Sequence, residues 1–215
     1  MYLLISILLI IMASAVAWLP MIKDFRATHA EIFNFWFTLI ATFVGVFIAI
    51  ELTNLTEQNK EEENAKKLLI AARVEIDSKI RQVEMNRQDI ILAGLTGAGK
   101  VYITDNPLRF PNLYKEVVSN ESVLKRINAD GVQYLNRRVT ELQILQEGID
   151  MGKPINDTSL IIAIDQYIQE LGFTRNILTV QIDILDDKIK TKQEMDKKYE
   201  EAYFDAYPEF KGLNP

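Results

Sequence analysis

Apolar residues form two long runs near the N-terminus of the chain, over residues 3–19 and 32–50, and neither run contains a charged residue. A bilayer core about 30 Å thick is crossed by about 20 helical residues. A helix also satisfies every backbone polar group in lipid. The pattern therefore predicts two transmembrane helices, joined by the short linker 21–31 into an antiparallel hairpin that forms a multi-pass anchor over residues 1–51.

The first run also has the alternative interpretation of a cleavable signal peptide. Ala15, Val16 and Ala17 have the small-x-small form of a cleavage site. However, no Lys or Arg precedes the run, whereas a signal peptide normally begins with basic residues. We therefore expect a transmembrane helix here, and the second run anchors the chain under either interpretation.

Basic residues near the two runs indicate the orientation of the anchor. Lys60, Lys66 and Lys67 follow the second run, while Lys23 and Arg26 lie in the linker. Because Lys and Arg concentrate on the cytoplasmic side of membrane proteins, the larger group favours a cytoplasmic C-terminal domain. The predicted location is the inner (cytoplasmic) membrane.

Small and polar residues recur along the second run at spacings of three and four, and we call this set the small-residue stripe. Its members are Asn34, Thr38, Thr42, Gly45 and Ala49. Small residues let transmembrane helices approach closely, and Thr and Asn can form hydrogen bonds across the contact. The stripe either packs against Ser6, Ala13 and Ala17 of the first run or faces a lumen in a homo-oligomer.

Beyond residue 51, charged residues alternate with apolar residues at helical spacing. Neither Gly nor Pro occurs from Val46 to Ala93, which predicts a long stalk helix over residues 56–93. Asn59 and Glu62 have the spacing of a capping box, so a helix restart at Asn59 is an open alternative. Residues 94–128, with Pro107 and Pro111, predict a loop and short helices, with a strand over 100–104 as an alternative.

Two further helices are predicted over residues 129–150 and 157–202. The second carries the clearest heptad pattern in the chain, formed by Ile161, Ile164, Ile168, Leu171, Leu178, Ile182, Leu185 and Ile189. Three long amphipathic helices can bury one another. The predicted fold is all-α, with a two-helix transmembrane hairpin followed by a long stalk helix and an antiparallel helical bundle over residues 52–215.

One charged residue, Arg175, interrupts this heptad pattern where an apolar residue is expected. A charge on the apolar face of a helix requires a partner or a cavity. Arg175 therefore either meets an acidic partner, sets the register of the helices or binds an anionic ligand.

Composition disfavours several classes of function, bulk nucleic-acid binding among them, while it leaves a small local nucleotide pocket open. The chain has 24 Lys and Arg against 30 Asp and Glu, a net charge of −6, and so lacks the basic surface that nucleic-acid backbones require. It has no cysteine and a single histidine, His29, which disfavours a zinc site. Residues 94–100 match a phosphate-binding loop up to Lys100, but Val101 replaces the hydroxyl residue that binds magnesium. We expect no cofactor, no metal and no enzymatic activity.

Residues Phe35–Phe37 and Ile40–Val46, followed by a charged helix that contains Ala65–Leu69, resemble bacterial proteins with two transmembrane helices and a helical cytosolic domain. Some proteins of that plan are membrane effectors in anti-phage systems such as retrons and cyclic-nucleotide-signalling systems. The resemblance covers residues 32–80 and implies a role in antiviral defence, without assigning a functional residue.

The small-residue stripe leads into an uninterrupted helix, and this combination suggests a function. We expect a non-enzymatic effector that perturbs or permeabilises the lipid bilayer when a cytosolic protein partner or a small ligand binds the helical domain. The alternative is a membrane-tethered scaffold that recruits a cytosolic partner through its helical domain.

Overall fold

The computed structural model describes residues 30–94, 99–151 and 156–211, and within these ranges the chain is helical and has no strand. The predicted all-α class is confirmed. The helices are α1 (Ala30–Gly94), α2 (Gly99–Asp105), α3 (Asn112–Val118), α4 (Glu121–Leu124), α5 (Ala129–Asp150), α6 (Asp157–Leu185), α7 (Lys192–Ala206) and a 3₁₀ helix (Pro208–Phe210). The first predicted transmembrane helix and the linker, and with them the hairpin, lie outside the described residues.

The chain divides into two units, Met1–Glu61 and Glu62–Pro215, and α1 contributes residues to both. The helix restart considered at Asn59 is absent, because α1 continues through this position. The threonines that weaken helix propensity here bond to the helix itself: the hydroxyls of Thr53 and Thr56 donate to the carbonyls of Ala49 and Leu52, at 2.9 and 2.8 Å. Both hydroxyls are therefore satisfied within the helix, and α1 continues through these weak helix formers.

The second unit is a helical bundle with one hydrophobic core, and α6 supplies its most buried residues. The core residues of α6 include Leu160, Ile164, Tyr167, Leu171, Phe173, Ile177, Leu178, Val180 and Ile182. α1 contributes one face, formed by Ala65, Leu69, Ala72, Ile76, Val83 and Ile90. α5 adds Leu135, Leu142 and Ile149. Burying each large apolar side chain contributes about 1.5–3 kcal/mol, so these faces drive the association of the helices.

Three ion pairs join α1 to α6 along their length, namely Lys66 with Asp186, Asp77 with Arg175 and Arg87 with Asp165. Between successive pairs, the residue number increases by 11 and then by 10 on α1. It decreases by 11 and then by 10 on α6, counted from its C-cap Asp186. The two helices are therefore antiparallel and in constant register.

The segment between α1 and α5 is tied to the bundle by polar contacts with its backbone. The Glu75 carboxylate accepts hydrogen bonds from the amides of Leu113 and Tyr114 at the start of α3, at 3.3 and 2.8 Å. A carboxylate is favourable there because the first amides of a helix lack partners within it. The strand considered over 100–104 is wrong, because these residues belong to the helix α2.

The single helix predicted over 157–202 is also wrong, because α6 ends at Leu185 and α7 begins at Lys192. Asp187 has a left-handed backbone with φ 56°. The amides of Asp187 and Lys188 donate to the carbonyls of Ile184 and Asp183, at 3.1 and 3.0 Å, which is the pattern of a Schellman motif. α7 then starts with a capping box between Thr191 and Glu194.

Replacing Asp187 by glycine is expected to raise the free energy of unfolding by about 0.5–1 kcal/mol. Relief of the left-handed strain, about 1–2 kcal/mol, exceeds the loss of about 0.4–1 kcal/mol from a more flexible unfolded chain. Chemical denaturation of the full-length protein in detergent, followed by circular dichroism, measures the change.

The matched control is Met151→Gly at the C-cap of α5, where φ is −73° and the side chain is exposed. Glycine at position 151 relieves no left-handed strain and only makes the unfolded chain more flexible, so this variant should be less stable than the wild type. Equal destabilisation by both substitutions would contradict the role assigned to Asp187.

Candidate functional site

The small-residue stripe lies on α1, in the part of the helix that could cross a membrane. Among the described residues, α1 is the one helix long and apolar enough to do so, with a mean hydropathy of 2.1 over its most apolar 18 residues, of which 6% are buried. All five members of the stripe are exposed. A side chain added at Gly45 would meet no other atom within 4 Å. The packing predicted against Ser6, Ala13 and Ala17 lies outside the described residues.

The polar groups of the stripe differ in what they offer to a neighbour. The Thr42 hydroxyl donates to the carbonyl of Thr38 at 2.8 Å, so its donor is satisfied within the helix. Its oxygen can still accept a hydrogen bond. The exposed amide of Asn34 can both donate and accept. The stripe therefore combines close approach at Gly45 and Ala49 with hydrogen bonding at Asn34.

Arg175, the charge that interrupts the heptad pattern, lies at the edge of the bundle. Its side chain is 43% exposed, and its Nη1 lies 3.9 Å from the Asp77 carboxylate on α1. Its Nε and Nη2 donate to the side-chain oxygen of Asn176, at 3.2 and 3.1 Å. The amide nitrogen of Asn176 in turn donates to the carbonyl of Ala202 on α7 at 3.3 Å. Arg175 thus lies where α1, α6 and α7 meet, and its helix-registering or anion-binding role stays a prediction.

Among the described residues, Arg138 on α5 is the buried arginine, and its side chain is 8% exposed. It forms ion pairs with Glu170 on α6 and with Glu141 on its own helix. Its guanidinium carbon also lies 4.9 Å from the centre of the Phe173 ring. Arg138 is not among the site residues predicted from the sequence, although it lies three residues after Leu135 and four before Leu142, on the apolar face of α5. Arg138 therefore interrupts an apolar helix face in the sequence, as Arg175 does.

The same glutamate holds the C-terminal segment, because the Tyr207 hydroxyl donates a hydrogen bond to Glu170. Burial raises the pKa of Tyr207, and the hydrogen bond to the Glu170 carboxylate raises it further. The phenol therefore stays protonated and able to donate throughout the physiological pH range. Arg138, Glu170 and Tyr207 link α5, α6 and the end of the chain in one polar cluster.

A second buried polar group, Gln181 on α6, joins α7 to the start of α5. Its side-chain nitrogen donates to the hydroxyl of Tyr199. Burial raises the pKa of Tyr199 to about 12, while hydrogen bonds from Gln181 and Asn128 oppose the rise. Gly131 lies against Gln181: a Cβ added there would be 2.5–2.7 Å from three side-chain atoms of Gln181. The absence of a side chain at Gly131 therefore makes room for the glutamine.

The glycine-rich segment that precedes α2 has an acidic neighbour. The Asp157 carboxylate fills the space beside Gly94 and Gly99, where an added Cβ would lie 3.4 and 2.8 Å from its oxygens. A phosphate bound beside these two glycines would be repelled by this carboxylate. Residues 95–98 themselves lie outside the described ranges.

Comparison with protein-family models gives no match for this chain, and comparisons with curated proteins and with solved structures give none either. Any function assigned to the chain must therefore be argued from its own residues.

Substituting alanine at two glycines is expected to have opposite effects. Gly131→Ala should lower the free energy of unfolding by about 1–3 kcal/mol, because the buried Gln181 must move. Gly172→Ala on α6 meets no atom within 4 Å. It should raise the stability by about 0.5–1 kcal/mol through helix propensity. Denaturant titration tests both variants, and stabilisation by Gly131→Ala would show that Gln181 is not held in place.

Replacing Arg138 by methionine is expected to lower the free energy of unfolding by about 3 kcal/mol, because Glu170 would keep a buried charge without its partner. The double variant Arg138→Met, Glu170→Gln should recover at least half of the loss, since the neutral amide can still accept from Tyr207. Denaturant titrations of the single and double variants give the coupling between the two residues.

The matched control is Arg137→Met on the adjacent residue. The Arg137 side chain is 69% exposed and pairs only within its own helix, with Glu141. Its replacement should change stability by no more than about 0.5 kcal/mol. Equal effects at positions 137 and 138 would refute the distinction between the surface pair and the buried pair.

Proposed function

We propose that this chain is a membrane-anchored, non-enzymatic effector whose helical domain receives a cytosolic partner or a small ligand and whose transmembrane part then perturbs or permeabilises the bilayer. In this proposal residues 1–51 form a two-helix hairpin in the inner membrane, and the bundle lies in the cytoplasm at the end of a stalk. Homo-oligomers bring the transmembrane parts together. The resemblance to anti-phage effectors suggests antiviral defence as the setting.

The observation that carries the proposal is the exposed small-residue stripe on an apolar helix. Among the described residues nothing covers Asn34 or Gly45, so this face can contact the first transmembrane helix or another copy, or line an aqueous path. Packing and hydrogen bonds, rather than the hydrophobic effect, drive association of helices in lipid. A face that is both small and polar supplies both interactions.

A second observation supports a connection between the bundle and the membrane. α1 has neither Gly nor Pro between Val46 and Ala93, and residues Ala65 to Ile90 of the same helix supply one face of the bundle core. Kinks in helices occur mostly at proline, at glycine or at local bulges. A rearrangement of the bundle can therefore be passed along α1 as a rotation or a tilt.

The exposed apolar residues of the bundle favour a second candidate, a membrane-tethered scaffold. Val74, Met85 and Leu92 are exposed and lie on the same face of α1, at spacings of 11 and 7 residues. Such a face suits contact with a helix of a protein partner. A scaffold would recruit this partner to the membrane without changing the permeability of the bilayer.

Expression of the full-length chain in bacteria, together with its activating signal where one is required, is expected to depolarise the membrane. Gly45→Leu should abolish this effect, because a leucine side chain fills the stripe and prevents close approach. Membrane potential is read with a voltage-sensitive dye at matched amounts of membrane-inserted protein.

The matched control is Val46→Leu, which adds volume to the same turn of α1 on another face, and it should depolarise as the wild type does. Depolarisation by Gly45→Leu at the wild-type level would exclude the stripe from the mechanism. If overexpressed, membrane-inserted protein never depolarises, and instead retains a partner that Met85→Glu releases, the scaffold is the correct function.

A further inference from the structure

Aromatic side chains from three helices meet beside the polar residues of α7. The Tyr134 and Tyr199 rings lie 4.7 Å apart between their centres, with an angle of 34° between their planes. The Phe173 and Tyr203 rings lie 5.7 Å apart in an edge-to-face arrangement. Phe173 is buried, whereas Tyr134 and Tyr203 are both 38% exposed. Large aromatic surfaces are thus left open to solvent between α5 and α7.

These rings line a cleft of about 400 Å³, which we call the aromatic cleft, and its walls are formed by Tyr134, Phe173, Tyr199, Tyr203, Asp196 and Glu200. Among the described residues that line it, four are aromatic, two are acidic and none is basic. The face of an aromatic ring carries partial negative charge. The exposed ring faces and the two carboxylates therefore favour a positively charged group in the aromatic cleft, although the Phe173 ring already has the Arg138 guanidinium against it.

The two carboxylates of the cleft differ from Glu194 and Glu201 on the same helix. Glu194 accepts hydrogen bonds from the amides of Lys190 and Thr191, and Glu201 pairs with Lys198. Within the described part of the chain, Asp196 and Glu200 have neither an ion pair nor a hydrogen bond. They are four residues apart on one helix, a spacing at which like charges repel. A bound cation would remove this repulsion.

Arg137 and Lys192 line an adjoining cleft, which shares Tyr134, Asp196 and Tyr199 with the first. The Nε of Arg137 donates to the Glu141 carboxylate at 2.7 Å. Lys198 donates to Glu201 at 2.6 Å. Lys192 is exposed and, within the described part of the chain, forms no ion pair with Asp196 or Glu200. Neither carboxylate of the aromatic cleft is therefore neutralised by these three residues, and both can meet a cation from outside the chain.

We propose that the aromatic cleft binds an organic cation, an ammonium or guanidinium group seated against the tyrosine rings and neutralised by Asp196 and Glu200. Cations bind over aromatic faces, and carboxylates beside the rings add a direct charge attraction. The protein already shows this arrangement internally, where Arg138 lies over the Phe173 ring beside Glu170. The cation is either a free small molecule or the basic side chain of a peptide. The site does not depend on the proposed membrane function.

The first test uses the full-length protein in a maltoside detergent and compares choline with 3,3-dimethyl-1-butanol, its uncharged isostere, by isothermal titration calorimetry. Choline should bind saturably and the isostere should not, because the two differ in charge rather than in shape. Binding of choline should weaken with added salt, since the carboxylates are exposed to solvent. Equal binding of both probes, or of neither, would overturn the proposal.

Variants then locate the site. Tyr134→Leu keeps the apolar bulk of an exposed residue but removes one ring, and it should weaken choline binding by about three- to tenfold. The double variant Asp196→Asn, Glu200→Gln should weaken it at least as much. The control is Asp205→Asn, an exposed acid on the same helix that does not line the cleft. An equal effect of this control would show that only the net charge of the protein matters.

The two sources of the cation are separated by two further probes, n-propylguanidine and a capped Gly-Arg-Gly peptide, which carry the same single guanidinium charge. Tighter binding of n-propylguanidine indicates a free small cation, and tighter binding of the peptide indicates a protein partner. In both cases the double variant must weaken the binding. A preference for either probe that survives in this variant would place its binding outside the aromatic cleft and contradict the proposal.

Discussion

The structure of the second unit depends on the burial of α6 between α1, α5 and α7. From Phe173 to Ile182 this helix buries residues on nearly every side, including the polar Thr174 and Gln181. Thr174 is satisfied within the helix, since its hydroxyl donates to the carbonyl of Glu170 at 2.8 Å. Apolar burial supplies the energy of association but is not directional. Polar contacts are directional, and α6 has such contacts with each neighbour: ion pairs with α1, the Arg138–Glu170 pair with α5 and the Gln181–Tyr199 contact with α7.

The presence of helices and the starts of α5 and α6 could be predicted from the sequence, because periodic apolar spacing and capping residues are local signals. Asn128 and Asn156 cap the two helices with their side chains, and apolar residues follow at helical spacing. The end of α6 could not be predicted, because the heptad pattern continues to Ile189 and no glycine marks the turn. Asp187 takes the left-handed position that glycine usually occupies. Whether the helix continues or the chain turns after Leu185 depends on the packing of α7 back onto α6. A periodic pattern of apolar residues holds no information on that packing.

The candidate sites also depend on packing that the sequence pattern does not contain. Arg175 was selected because it interrupts an apolar face, yet it lies at the edge of the bundle, while Arg138 on α5 is the buried arginine. Which of two such charges is enclosed depends on how many helices cover each face. The aromatic cleft could not be predicted from the sequence for a different reason. Tyr134 and Tyr199 are distant in sequence and meet only when α5 and α7 pack on α6. The small-residue stripe lies within a single helix, so its spacing can be read from the sequence, while its function stays a prediction.

The position of α6 late in the chain has a consequence for synthesis. The apolar face of α1, which ends at Ile90, leaves the ribosome about 70 residues before Leu160, the first core residue of α6. Translation proceeds at about 5–20 residues per second, so the apolar face of α1 is synthesised roughly 4–14 seconds before α6, its main partner, can cover it. During this interval the nascent chain exposes an amphipathic helix directly behind an apolar segment that could enter the membrane. Chaperones or the lipid surface itself would have to cover this face until translation reaches α6.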